Sequence, residues 1–230
     1  MASTAWHERL LPPASHSLIR RFKVTLSVLA TITVIGLYTA HLSATAFQSL
    51  VGRAGVDLDS LHAGRHWVIV LATFVQASQG IQWHMMLLVV TPLGVLEYVA
   101  GSDPSLVTFL VGDWITSILT VCTLWAMSGI GIEKATRLLH TPGIGSSAAA
   151  LAAAGAACVL IAGRWRKKVL ALLIGISVAS ISFQTLDNAV AHLDGLIVGA
   201  MFGAFVWRPC LHGKPSLLRE PQRTLRCMEE

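Results

Sequence analysis

Apolar residues in this 230-residue chain gather into six long runs, at about 24–47, 81–100, 104–128, 144–163, 169–186 and 188–207. Each approaches the roughly 20 residues a helix needs to cross a hydrocarbon layer about 30 Å thick. Backbone N–H and C=O groups in lipid must be paired within the segment or a closed barrel, and these runs lack the alternation of barrel strands. The pattern therefore predicts an all-α membrane protein of six transmembrane helices. A further stretch, "HWVIVLATFVQAS" from His66 to Ser78, is also apolar, but it is short and is followed by Gln79, Gly80 and Gln82. It predicts an interfacial loop element rather than a seventh span. The polar segments at either end give a tail at 1–23, a membrane domain at 24–207 and a second tail at 208–230.

Composition agrees: 54% of residues are hydrophobic and 13% charged, too apolar for an ordinary soluble domain. The net charge of +5 is small and dispersed, which speaks against nucleic-acid binding. Its distribution is more informative. Thirteen Lys and Arg fall in the N-tail, in "RWRKK" (Arg164–Lys168) and in the C-tail, whereas only Arg53, Arg65, Lys134 and Arg137 fall on the other side. The positive-inside rule then predicts cytoplasmic termini and a multi-pass protein of the plasma membrane, with the C-tail a basic extension near anionic headgroups. The N-tail shows no cleavage site and is expected to be retained. Cys122, Cys158, Cys210 and Cys227 lack CxxC spacing, and His41, His62 and His66 lack metal-ligand spacing, so no metal or cofactor is expected.

Ionisable residues inside apolar runs are costly and mark candidate sites: His84, Glu97, Asp113 and His192. Glu97 lies near the cytoplasmic end of span two, within reach of headgroups or of the start of span three, and a structural role is favoured. Asp113 fits either a proton or substrate path or a hydrogen bond to a neighbouring helix. In "HTPGIGSSAAALAAAGA", Ser146 and Ser147 sit at the outer end of span four. His192, in "NAVAHLDGLIVGAMFGAF", sits at a similar distance inside the outer end of span six. A histidine within reach of a serine hydroxyl supplies the base that a serine nucleophile needs. Gly195, Gly199 and Gly203 form a small-xxx-small ridge on the same side of the helix as His192, and Ala148, Ala152 and Ala156 offer a matching face. The structural alternatives are a serine N-cap and an interhelical histidine hydrogen bond.

Together these segments resemble the rhomboid family of intramembrane serine proteases, in order, from about Gly64 to Phe205. "GRHWVIVLATFVQAS" is similar to the family's loop entering span two, and "PLGVLEYVAGS" to its G-x-x-x-E-x-x-x-G-S end. "GSSA" is similar to the G-x-S-G nucleophile motif, and "AHLDGLIVGAMFG" to A-H-x-x-G-x-x-x-G. The resemblance implies a six-helix rhomboid-like bundle with Ser147 as nucleophile, His192 as base and Gly145 in support, acting without a cofactor. Its substrates would be transmembrane or juxtamembrane segments of other membrane proteins. The chain departs from the pattern in span two, where the family's H-x-x-x-N falls on Ile81 and Met85 without gaps. Matching His84 instead places Leu88 at the Asn position, so the Asn is absent either way and His84 is the side chain left to support an oxyanion. Gln76 replaces the loop histidine, and Ala148 the glycine after the serine. Losing one oxyanion donor lowers rates on the order of 10²–10³-fold in a soluble serine protease. A catalytically inactive relative that binds client transmembrane helices is therefore the second expectation. A small transporter or channel, suggested by Asp113 and by Pro92 within span two, is the third; no inverted repeat accompanies it.

Overall fold

A computed structural model of the chain describes residues 16–161 and 186–211. Four of its helices are long and apolar enough to cross a membrane: α2 (Lys23–Ala40), α6 (Trp83–Ala100), α7 (Ser102–Gly129) and the run Leu186–Cys210. That run is α10 (Leu186–Met201), a π-helical turn (Phe202–Trp207) and the start of a last turn, α11 (Arg208–Leu211). The short helices are α1 (His16–Arg21), α3 (Ala44–Ala54), α4 (Leu58–His62), α5 (Val68–Phe74) and α8 (Glu133–Leu138). The predicted span 169–186 lies outside the described residues but for Leu186.

Two sequence boundaries change. The run at 24–47 is not one helix: α2 ends at Ala40, and Ser43 starts α3 by accepting the Ala46 N–H at 3.2 Å. Hydropathy continues across this break, so an apolar count alone misses it. The run at 144–163 contracts to α9 (Ser147–Leu160), 14 residues long. At 1.5 Å per residue this is about 21 Å, well short of a hydrocarbon layer. The helix is nonetheless enclosed, with 11 consecutive residues from Ala148 to Cys158 buried. A helix surrounded by protein has no need to match the thickness of lipid. The stretch at 66–78 holds only the seven-residue α5, about 10 Å long and too short to span.

The bundle forms around α9. Val24, Val28 and Ile32 of α2, Met86, Val89, Leu93 and Leu96 of α6, and Phe109 of α7 pack with Ala149, Ala150, Ala153, Ala156 and Ala157. Alanine is the best helix former and leaves little side chain between neighbours, so the surrounding helices approach closely. A second apolar cluster covers the start of α9. There Val56, Val68, Ile69 and Ala72 meet Val121 and Leu124 of α7 and Ala135 and Leu139 from the loop that carries α8. The Val56 and Gly143 backbones exchange two 2.9 Å hydrogen bonds, which closes this cap.

Helix starts in the bundle leave N–H groups without intrahelical partners, and one is served from a neighbouring helix. Phe22, before α2, has no capping side chain; instead Glu97 of α6 accepts the Val24 and Thr25 N–H groups, each at 2.9 Å. The Thr25 and Ser102 hydroxyls complete its shell at 2.7 Å each. Glu97 thus ties together the starts of α2 and α7, and Gly101 (φ 92) makes the tight link from α6 to α7. Exposed aromatics mark the two ends of the bundle. Trp83 opens α6 and Trp125 lies late in α7, while at the opposite end Tyr98 carries the Arg21 guanidinium 3.9 Å over its ring. Aromatic and basic side chains near helix ends suit a membrane interface.

Candidate functional site at the start of α9

The glycine ridge of α10 packs on α9. A Cβ built on Gly195 falls 2.7 Å from Ala148 O, and one on Gly203 falls 2.8 Å from Ala156 O. One on Gly199 falls inside the van der Waals shell of Ala152 O. Only hydrogen fits at these positions, so backbone meets backbone. Gly155 of α9 makes the reciprocal approach to Leu196 and Ala200. The pairs 148/195, 152/199 and 156/203 keep a constant offset of 47 residues, so α9 and α10 run parallel. The same offset sets His192 level with Gly145, immediately before the two serines.

Depth follows from α7. The Asp113 carboxyl is buried and accepts the Ala149 N–H, at the third position of α9. Asp113 stands 16 residues before the end of α7 at Gly129, or about 24 Å along the axis. Helix α9 therefore begins inside the bundle, near the middle of α7. The sequence reading placed these serines near the outer end of a full-length span; the shortness of α9 sets them deeper.

Three further contacts pin this turn, all from α5 and the residues after it. The Gly145 N–H donates to Ala72 O at 2.9 Å, with Gly145 at φ 125, a backbone conformation side chains disfavour. The Thr73 hydroxyl donates to the Asp113 carboxyl. Gln76 Nε2 donates to Ser146 Oγ at 3.1 Å. Ser146 is fully buried, whereas Ser147, the first residue of α9, is partly exposed.

His192 is buried on α10, and its Nε2 has no hydrogen-bond partner. An unpaired buried ring nitrogen is unusual in a folded protein and needs a reason. Asp187, earlier on α10, is close enough to act on it electrostatically, and its own Oδ1 is likewise buried and unpaired. The N–H groups of Ser147 and Ala148 have no acceptor among the described residues, because that of Ala149 is taken by Asp113 and that of Ala150 bonds Ser146 O. The start of α9 thus presents a partly exposed hydroxyl and two N–H groups level with an unpaired imidazole. No Ser147–His192 hydrogen bond closes the pair.

His84 is exposed in the first turn of α6 and makes no hydrogen bond among the described residues. The structure gives it no link to the serine turn; the buried polar side chain there is Gln76. Sequence reasoning had treated Gln76 only as a departure from a pattern, and it overlooked Thr73 altogether. It also passed over Asp194, buried on α10 and held by the Thr120 hydroxyl at 3.2 Å and by that of Thr123. The available signal was weak: uncharged polar residues inside apolar stretches. Among the described residues no three His, Cys, Asp or Glu converge as a metal site requires.

Over the described residues, fold and site together define a helical membrane bundle with a cluster of polar side chains at the buried start of its central helix. Searches of protein-family models, of curated proteins and of solved structures find no match to this chain.

Proposed function

We propose that the chain is an intramembrane serine endopeptidase of rhomboid type, acting on transmembrane or juxtamembrane segments of other membrane proteins. In this reading Ser147 Oγ attacks the scissile carbonyl carbon and its proton passes to His192 Nε2. The C=O π pair moves to oxygen, which the Ser147 and Ala148 N–H groups hold at the positive end of α9. Collapse of this adduct breaks the C–N bond, and His192 returns the proton to the leaving amine. Water then hydrolyses the acyl-serine by the same proton relay, and Gly145 allows the backbone turn that presents the nucleophile. The carrying observation is His192 Nε2, buried and unpaired, level with the serine turn.

The proposal includes six spans with both termini in the cytoplasm of a plasma-membrane protein. Two observations support that topology: the bias of Lys and Arg, and the parallel course of α9 and α10, which enter from the same side.

One observation favours a second reading, a catalytically inactive protein that binds client transmembrane helices: Ser147 makes no hydrogen bond to His192, and Gln76 engages Ser146 instead. Labelling of the purified full-length protein in liposomes with a fluorophosphonate separates the two. Catalysis predicts labelling that is lost in Ser147→Ala and in His192→Ala. Absence of labelling in folded wild type ends the protease reading; client co-purification indifferent to Ser147→Ala then supports the second. Labelling lost only in Ser146→Ala moves the nucleophile by one residue.

A further inference from the structure

A serine hydrolase at the start of α9 would gain from a side-chain N–H beside the two free backbone N–H groups, because each donor aimed at the developing oxyanion acts where water is excluded. His84 is exposed. Asp113 accepts hydrogen bonds from Ala149 and Thr73, and the Thr73 hydroxyl is engaged with it. Gln76 differs from these. It is 4% exposed, and its carboxamide reaches the serine turn from the residues following α5. An amide nitrogen carries two hydrogens. One bonds Ser146 Oγ at 3.1 Å, and the other has no acceptor among the described residues. Its Oε1 is buried and unpaired as well. The carboxamide is therefore oriented by one hydrogen bond and has another to give.

We propose that Gln76 is a catalytic residue of this site, its Nε2–H donating to the substrate oxyanion beside the Ser147 and Ala148 N–H groups. The assignment rests on the Ser147/His192 reading and completes it. When the Ser147 Oγ–C bond forms and the carbonyl π pair moves to oxygen, that oxygen meets two backbone donors from α9 and one amide donor from Gln76. The same donor serves the tetrahedral adduct of the second, hydrolytic step. Gln76 Oε1 and His192 Nε2 are both buried and unpaired, and in this assignment an entering substrate carbonyl and water supply their missing partners.

The test is the second-order rate of fluorophosphonate labelling of Ser147 in the full-length protein, because phosphonylation develops negative charge on an oxygen at the same point. Gln76→Met keeps the volume and removes both N–H donors; Gln76→Glu keeps the shape and removes the donors in its ionised form. Both are expected to label more slowly, on the order of 10²–10³-fold, while remaining folded at the labelling temperature. If Gln76→Met unfolds, Gln76→Glu and Gln76→Asn carry the test, Asn retaining a donor on a shorter arm and labelling faster than Glu. Folded Gln76→Met or Gln76→Glu labelling within threefold of wild type overturns the assignment and leaves the Ser147/His192 reading standing. A wild-type protein that never labels at Ser147 removes that reading first, and the Gln76 role falls with it.

Discussion

Gly199 of α10 lies against the Ala152 carbonyl of α9 so closely that no side-chain carbon fits between them. Because the obstruction is backbone, rotamer changes cannot relieve it, and the two helices must separate. Gly199→Ala is expected to cost about 3 kcal/mol or more, at or above the upper end of ordinary overpacking. Gly52, inside α3, has nothing within 4 Å of a built Cβ. Gly52→Ala is expected to stabilise by about 0.5–1 kcal/mol through helix propensity. Thermal unfolding of both variants in the same detergent checks the pair; similar shifts would contradict the close packing.

Glu97 carries the opposite kind of constraint, an acceptor serving four donors on two helix starts. Glu97→Ala leaves the Val24 and Thr25 N–H groups buried without partners and is expected to cost about 3 kcal/mol or more. Thr25→Val removes one hydroxyl donor and is expected to cost about 1 kcal/mol. Glu97→Gln should fall between them, since its amide keeps one acceptor oxygen. Chemical unfolding of the three proteins orders them.

These two residues show what the sequence makes legible. Gly195, Gly199 and Gly203 can be read as a ridge because helical periodicity alone sets them on one face, and Ala148, Ala152 and Ala156 follow the same spacing. Glu97 stands out as a charge in an apolar run, and its contact with Ser102 at the start of α7 lies only five residues away. Its contacts with Val24 and Thr25 span more than seventy residues, and no local pattern encodes them. The ends of α9 were hidden for another reason. Hydropathy is uniform from Ile144 to Gly163, whereas the helix begins where Gly145 turns the backbone and Asp113 takes the Ala149 N–H. Thr73 goes unread, and Gln76 reads only as a replaced histidine, because a search for ionisable residues passes over amides and hydroxyls, although these are the groups that hold the turn in place.

Asp194 lies two residues from His192, and a sequence reader could be tempted to pair them. Its partners are instead Thr120 and Thr123 on α7, which makes it a joint between α10 and α7. Asp194→Asn keeps an acceptor and is expected to label with fluorophosphonate within threefold of wild type, with stability changed by less than about 1 kcal/mol. Asp194→Leu strands two hydroxyls and is expected to lose about 2 kcal/mol. A large loss of labelling in folded Asp194→Asn would move this residue from joint to chemistry.

Asp113 is where stability and chemistry meet, because its carboxyl receives the Ala149 N–H two residues beyond Ser147 and the Thr73 hydroxyl three residues before Gln76. Asp113→Ala leaves the Ala149 N–H without its acceptor, while the Thr73 hydroxyl keeps Ile69 O at 2.9 Å, at an expected cost of about 1–3 kcal/mol. In the protease reading, the vacated Ala149 N–H also becomes a third free donor at the helix start, competing with those of Ser147 and Ala148 for an incoming oxygen and drawing it away from Ser147. Asp113→Asn retains a carbonyl acceptor and should preserve the turn. The expected order of fluorophosphonate labelling is therefore wild type, then Asp113→Asn, then Asp113→Ala, with Thr73→Val near Asp113→Asn because it leaves the Ala149 N–H on the Asp113 carboxyl. If Asp113→Ala remains folded and labels as fast as wild type, the start of α9 holds its geometry without this carboxyl, and Asp113 serves packing alone.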